Sequence, residues 1–168
     1  MKKILGLGII LIALSTASNA QTPVPATASA SATIIAPITL TKDIDLQFGS
    51  LAAGAAAGTV TIDASVTPNR TGTNVTLSTI GAAPTAAKYT VTGTAGYTYL
   101  IGFPSRSVSI INGANNMLVD NLVSSKVSDI GTLTGGTDIF YVGGRLNVAI
   151  AQIPGTYTGT FTVNVNYN

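Results

Sequence analysis

Apolar and polar residues alternate with a period of two along most of this chain, the signature of strands with one buried face. From Val24 to Leu40, the residues Ala26, Ala28, Ala30, Ala32, Ile34 and Ala36 share one parity with Ile38 and Leu40. The opposite parity is Pro, Thr and Ser, broken only by Ile35. Pro23, Pro25 and Pro37 prevent an ordinary central strand along its whole length, because proline gives no ladder hydrogen bond. The segment is therefore a first edge strand or an arm.

Further strands are predicted at short spacing. "DIDLQFG" groups Ile44, Leu46 and Phe48, "GTVTID" groups Val60 and Ile62, and "TNVTLSTI" groups Val75 and Leu77. "GSLAAGAAAG" reads as a flexible connection. "AAKYTVTG" and "GYTYLIGF" flank a turn at 94–96 and read as a hairpin. "SVSII" and "NMLVDNLV" surround Asn112-Gly113, a dipeptide suited to a tight hairpin turn. "DIFYVGGRLNVAI" holds Gly143-Gly144, a bulge or bend, and Pro154-Gly155 turns the chain into a last alternating run, "GTYTGTFTVNVNYN". Eight to ten strands separated by turn signals predict an all-β domain, an immunoglobulin-like two-sheet antiparallel sandwich, over residues 37–168. No segment repeats at a fixed period, which argues against a solenoid or propeller.

The first twenty residues change how the charge is read. Lys2 and Lys3, the run "ILGLGIILIAL" and small residues at Ser18 and Ala20 have the order of a secretory signal peptide, residues 1–20, cleaved before Gln21. An uncleaved anchor is the alternative. Export through the inner membrane to the periplasm, cell surface or medium follows, with no stable membrane span after cleavage. In the remaining 148 residues, six Lys and Arg balance six Asp, so no basic excess is left for nucleic acid.

The chemical inventory is thin. The chain has no His, Cys, Trp or Glu. Histidine-based triads, thiol chemistry and the common zinc sites are unavailable, and no cofactor or metal site is expected. Asp43 and Asp45 share a strand face, but no acidic cluster completes a calcium site. "GSLAAGAAAG" lacks the Lys-Ser/Thr ending of a phosphate loop. Tyr97, Tyr99, Ile101 and Phe103 share a face that reads as core rather than a sugar platform. A non-enzymatic protein is expected.

The two ends are the informative regions. A last strand with clean apolar parity leaves a backbone edge that templates another strand, and the segment 21–36 is extended and alternating. Donation of that arm to another molecule's edge makes a head-to-tail contact, which repeats into a filament. The last run resembles the end of chaperone–usher pilin subunits, which carry a penultimate aromatic, here Tyr167, and a glycine fourteen residues from the end, here Gly155. The resemblance implies a groove edge of Gly155, Phe161, Val163, Val165 and Tyr167, held first by a periplasmic chaperone. The donor would be Ala26, Ala28, Ala30, Ala32, Ile34 and Ala36 of an identical or related subunit. Alanine buries little area, at about 25 cal/mol per Å², so docking would call on Ile34, Ile38 and Leu40.

The runs "ATIIAPITL", "LQFGSL", "AGTVTI", "KYTVTG", "VGGRLNVA" and "GTYTGTFTVNVNY" are together similar to a family of secreted bacterial β-domains of unknown function. That family is similar in turn to spore-coat protein U and pilin domains. The resemblance implies a pilin-like, fimbrial or adhesive surface subunit. Two alternatives remain at this level: a monomeric secreted binding module recognising glycan or matrix through its loops, and a small outer-membrane barrel.

Overall fold

The computed structural model describes residues 21–168, so the leader expected at 1–20 lies outside the described residues. Residues 21–33 are exposed throughout and carry no helix or strand. The domain that begins at Ile34 is built of strands and two short 3-10 turns.

Twelve strands follow: β1 (Thr39–Ile44), β2 (Leu51–Ala53), β3 (Gly58–Ile62), β4 (Arg70–Thr73), β5 (Val75–Leu77), β6 (Ala87–Thr92), β7 (Thr98–Gly102), β8 (Val108–Asn112), β9 (Asn115–Ser124), β10 (Ile130–Thr132), β11 (Thr137–Val148) and β12 (Asn164–Tyr167). Every pairing is antiparallel. They form a seven-stranded sheet, a three-stranded sheet ordered β10-β7-β12, and a β2–β5 ribbon. The all-β prediction holds, but the simple two-sheet sandwich of eight to ten strands does not.

β11 organises the large sheet. Its first half pairs with β6, from Thr137↔Thr92 to Val142↔Ala87, and its second half with β3, from Gly144↔Ile62 to Val148↔Gly58. Gly143 sits at the change of partner, where a Cβ would lie 2.3 Å from the Ile62 carbonyl oxygen. Only glycine allows so close a passage. The β11–β9 register slips between Gly143 and Arg145, so the glycine pair marks a bulge. β1 continues the sheet beyond β6, β4 beyond β3, and β8 beyond β9.

The inward parity of these strands makes the core. Phe140, Val142, Leu146 and Val148 of β11 are buried with Val60, Val91, Tyr99, Val119 and Leu122. Tyr89 stacks on Phe140 at 5.1 Å between ring centres. The Tyr99 hydroxyl donates to Asp138 Oδ2 at 3.0 Å, giving the polar end of a buried ring its partner. Burial, then the Asp138 charge and that hydrogen bond, push the Tyr99 phenol well above its usual range.

Four local expectations change. β6 and β7 do not pair: β6 lies between β1 and β11, and β7 between β10 and β12, so the 94–96 turn crosses between sheets. The strand expected over "DIDLQFG" lies earlier, at Thr39–Ile44; Gln47 makes only an isolated bridge to Thr85. Part of the "flexible connection" is β2, whose Leu51 and Ala53 pack on the core. The last run is a strand only from Asn164 to Tyr167; before it, Thr158 alone bridges Ile111. The Asn112-Gly113 hairpin forms as expected, with Gly113 at φ +59°.

Candidate functional site

Two strand edges define the site. β12 pairs with β7 on one side only, and β1 pairs with β6 on one side only. β1 and β12 approach each other without a ladder between them. The Asn168 N–H donates to the Thr98 carbonyl on the β7 side. By the two-residue repeat of an antiparallel ladder, Asn164 and Asn166 also face β7, while the Val165 and Tyr167 N–H groups face outward.

The side chains along this seam are half covered. Phe161, Val163, Val165 and Tyr167 all pack on the core while remaining partly exposed, as do Ile38 and Leu40. Apolar surface left in water favours a covering partner, at about 25 cal/mol per Å² removed. An open edge above a half-covered apolar row is the geometry that strand addition requires.

A hydrogen-bonded node closes one end of the seam. The Tyr167 hydroxyl accepts from the Thr94 N–H at 2.7 Å and donates to the Ala36 carbonyl at 2.8 Å. The Ala36 N–H in turn donates to Thr94 Oγ1 at 2.8 Å. Tyr97 packs edge-on against Tyr167, 5.7 Å between ring centres. One phenol thus ties β12 to the β6–β7 crossing and to the residue that precedes β1. Thr94 carries no sequence signal for this role, since nothing local announces a crossing between sheets.

The residues singled out by resemblance separate into groups. Val165 and Tyr167 lie on β12, and Phe161 and Val163 in the run that precedes it; all four pack on the core. Gly155 does not join them: it sits at φ +149° against the β8–β9 turn, where a Cβ would lie 2.0 Å from Asn112 Nδ2. Its glycine is explained by that positive φ. Ala26, Ala28, Ala30 and Ala32 are exposed, and Ile34 is 96% exposed. Ala36 is exposed yet has its backbone bound at the node. Leu40 pairs with Val91 inside the sheet, and Ile38 packs on the same core. Both belong to their own domain, so Ile34 and Ile35 are the large apolar residues left to the arm.

Most charged groups are paired, while Asp63 accepts from the Ser65 hydroxyl and the Asn69 N–H. Asp43 faces Lys88, Asp45 faces Lys42, Asp138 faces Lys126, and Asp129 faces Arg106. Asp120 and Arg145 meet at 2.8 Å, and the Arg145 hydrogen bond holds the Asp120 carboxyl below its usual range. Arg70 is instead held by the Ser78 and Ser50 carbonyls, with its Nε buried and unbonded; burial lowers its pKa. Of the core-face tyrosines, Tyr99 is buried but Tyr97 is 40% exposed, and Phe103 carries the Arg106 guanidinium over its ring. Among the described residues no three His, Cys, Asp or Glu gather as a metal site, and no helix is long and apolar enough to cross a membrane.

No curated protein and no solved structure matches the chain. One family model does, over residues 38–167, the stretch that begins just before β1 and ends with β12. It covers all twelve strands described above and most of the runs that resemble the secreted bacterial β-domain family. The chain therefore belongs to the family described as domain of unknown function DUF4402.

Proposed function

We propose that this protein is a non-enzymatic, pilin-like structural or adhesive subunit of the bacterial surface that assembles by strand exchange. In this reading the seam between β1 and β12 accepts the 21–36 arm of an identical or related subunit. A periplasmic chaperone would cover the seam first. The observation that carries the reading is the seam itself: two unpaired edges above the half-covered Phe161, Val163, Val165 and Tyr167. The arm supplies the complementary feature, an exposed alternating segment.

The energetics limit the strength of the joint. A donor of alanines removes little apolar area, so on the donor parity Ile34 would supply most of the burial and main-chain hydrogen bonds the rest. The joint is heterologous, so it propagates rather than closing. The test compares residues 21–168 with 37–168 by light scattering and electron microscopy. Heat-stable ladders and filaments that vanish with the arm are expected. A mature chain that stays monomeric at every concentration, and melts as one stable domain, would rule strand exchange out.

A further inference from the structure

We propose that a concavity at the end of the large sheet, formed by β3, β4, β9 and β11, binds a neutral saccharide. Its volume is about 440 Å³, within the range of pockets that hold small ligands. Its residues lie on neither β1 nor β12, so this site goes beyond the assembly role and does not rest on it.

The cavity wall follows from the register. Asn147 pairs with Thr59 and Thr59 with Thr73, one row across three neighbouring strands. Their neighbours Leu146, Val148 and Val60 are buried, so this row has the outward parity. Gln152, after β11, and Asn116, on β9, complete the polar lining. Leu118, exposed on β9, provides apolar surface among these groups.

The hydrogen bonds within the wall leave specific atoms unused. Asn147 Nδ2 donates to the Leu118 carbonyl at 3.1 Å and to Asp120 Oδ2 at 2.9 Å. Both amide protons are committed, so Oδ1 is a fixed acceptor without a partner among the described residues. Gln152 Nε2 donates to the Asn116 carbonyl at 3.2 Å and to the Tyr157 hydroxyl at 2.8 Å. Its Oε1 receives only a 3.4 Å contact from the Ala149 N–H. The Thr59 and Thr73 hydroxyls and the Asn116 side-chain amide make no hydrogen bond among the described residues.

Two oriented acceptors, two hydroxyls and a free amide around an apolar patch suit a ligand with several adjacent hydroxyls and a C–H face. A pyranose has both. Charge narrows the class. The lining has no charged side chain, and Asp120, which touches Asn147, is already neutralised by Arg145. An unpaired phosphate, sulfate, carboxylate or ammonium would find no counter-charge here.

The test titrates isotope-labelled 21–168 with glucose, galactose, mannose and N-acetylglucosamine, with glucuronate as the charged control. It follows the side-chain amides of Asn116, Asn147 and Gln152 and the methyls of Leu118. Saturable shifts in these signals with at least one neutral sugar are expected. Thr59→Val with Thr73→Val should weaken that binding roughly tenfold through the lost hydrogen bonds. Asn116→Ala, at an exposed position, serves the same purpose should the double variant fold poorly. No saturable shift with any sugar, binding unchanged in the variants, or glucuronate bound as tightly as the neutral sugars would each overturn the proposal.

Discussion

β11 and β12 carry the same alternation of apolar and polar residues but end up in different surroundings. On β11, Val142 and Leu146 are buried between paired neighbours, whereas on β12, Val165 and Tyr167 remain partly exposed beside an open edge. Periodicity sets which face turns inward, and sheet position sets whether anything covers it.

The comparison can be broken first at its strong end. Phe140→Ala should cost about 3–5 kcal/mol, since the ring is stacked on Tyr89 and cannot be replaced by solvent. Denaturant unfolding of monomeric protein would measure it. Tyr167→Phe should cost about 1 kcal/mol, because water can reach the half-exposed Thr94 N–H once the hydroxyl is gone. Its sharper sign is faster exchange of the Thr94 amide with the core amides unchanged.

Val165→Ala should cost the monomer about 1 kcal/mol or less, as the side chain is only part buried. Under strand exchange the same variant should reduce assembly well out of proportion to that cost. Equal losses of stability and assembly would place Val165 among ordinary core residues.

The smallest effect is one of pH. The Tyr99 phenol is raised in the fold by burial and Asp138, and Tyr89 by burial and Asp45. Groups raised above their unfolded values stabilise fully below the unfolded pKa of 10.0 and lose that contribution as pH rises beyond it. Melting temperature should therefore fall above about pH 10, and fall less steeply in Tyr99→Phe.

Much of the fold was legible because β11 and β3 bury their apolar parity as the alternation predicts. The 94–96 turn was not, because Thr94–Gly96 is a good tight turn whether or not its flanking strands pair. Sheet partnership there depends on long-range contacts with β1, β11 and β12. The inward parity of Phe161, Val163, Val165 and Tyr167 was legible in their alternation, and all four pack on the core. The node was not, since its partners Ala36 and Thr94 lie far from Tyr167 in sequence and carry no chemistry of their own. Gly155 was singled out by its place fourteen residues from the end, whereas its backbone, at φ +149°, lies against the β8–β9 turn rather than beside β12.

Amide exchange at β12 tests the strand-exchange reading most directly. In dilute mature protein, the outward Val165 and Tyr167 amides should exchange fast while Asn166, bonded to β7, is slow. On concentration into assemblies, Val165 and Tyr167 should become protected, and they should stay fast in the form lacking residues 21–36. Protection of both amides already in the dilute monomer, or fast exchange in the assembled form, would contradict the account.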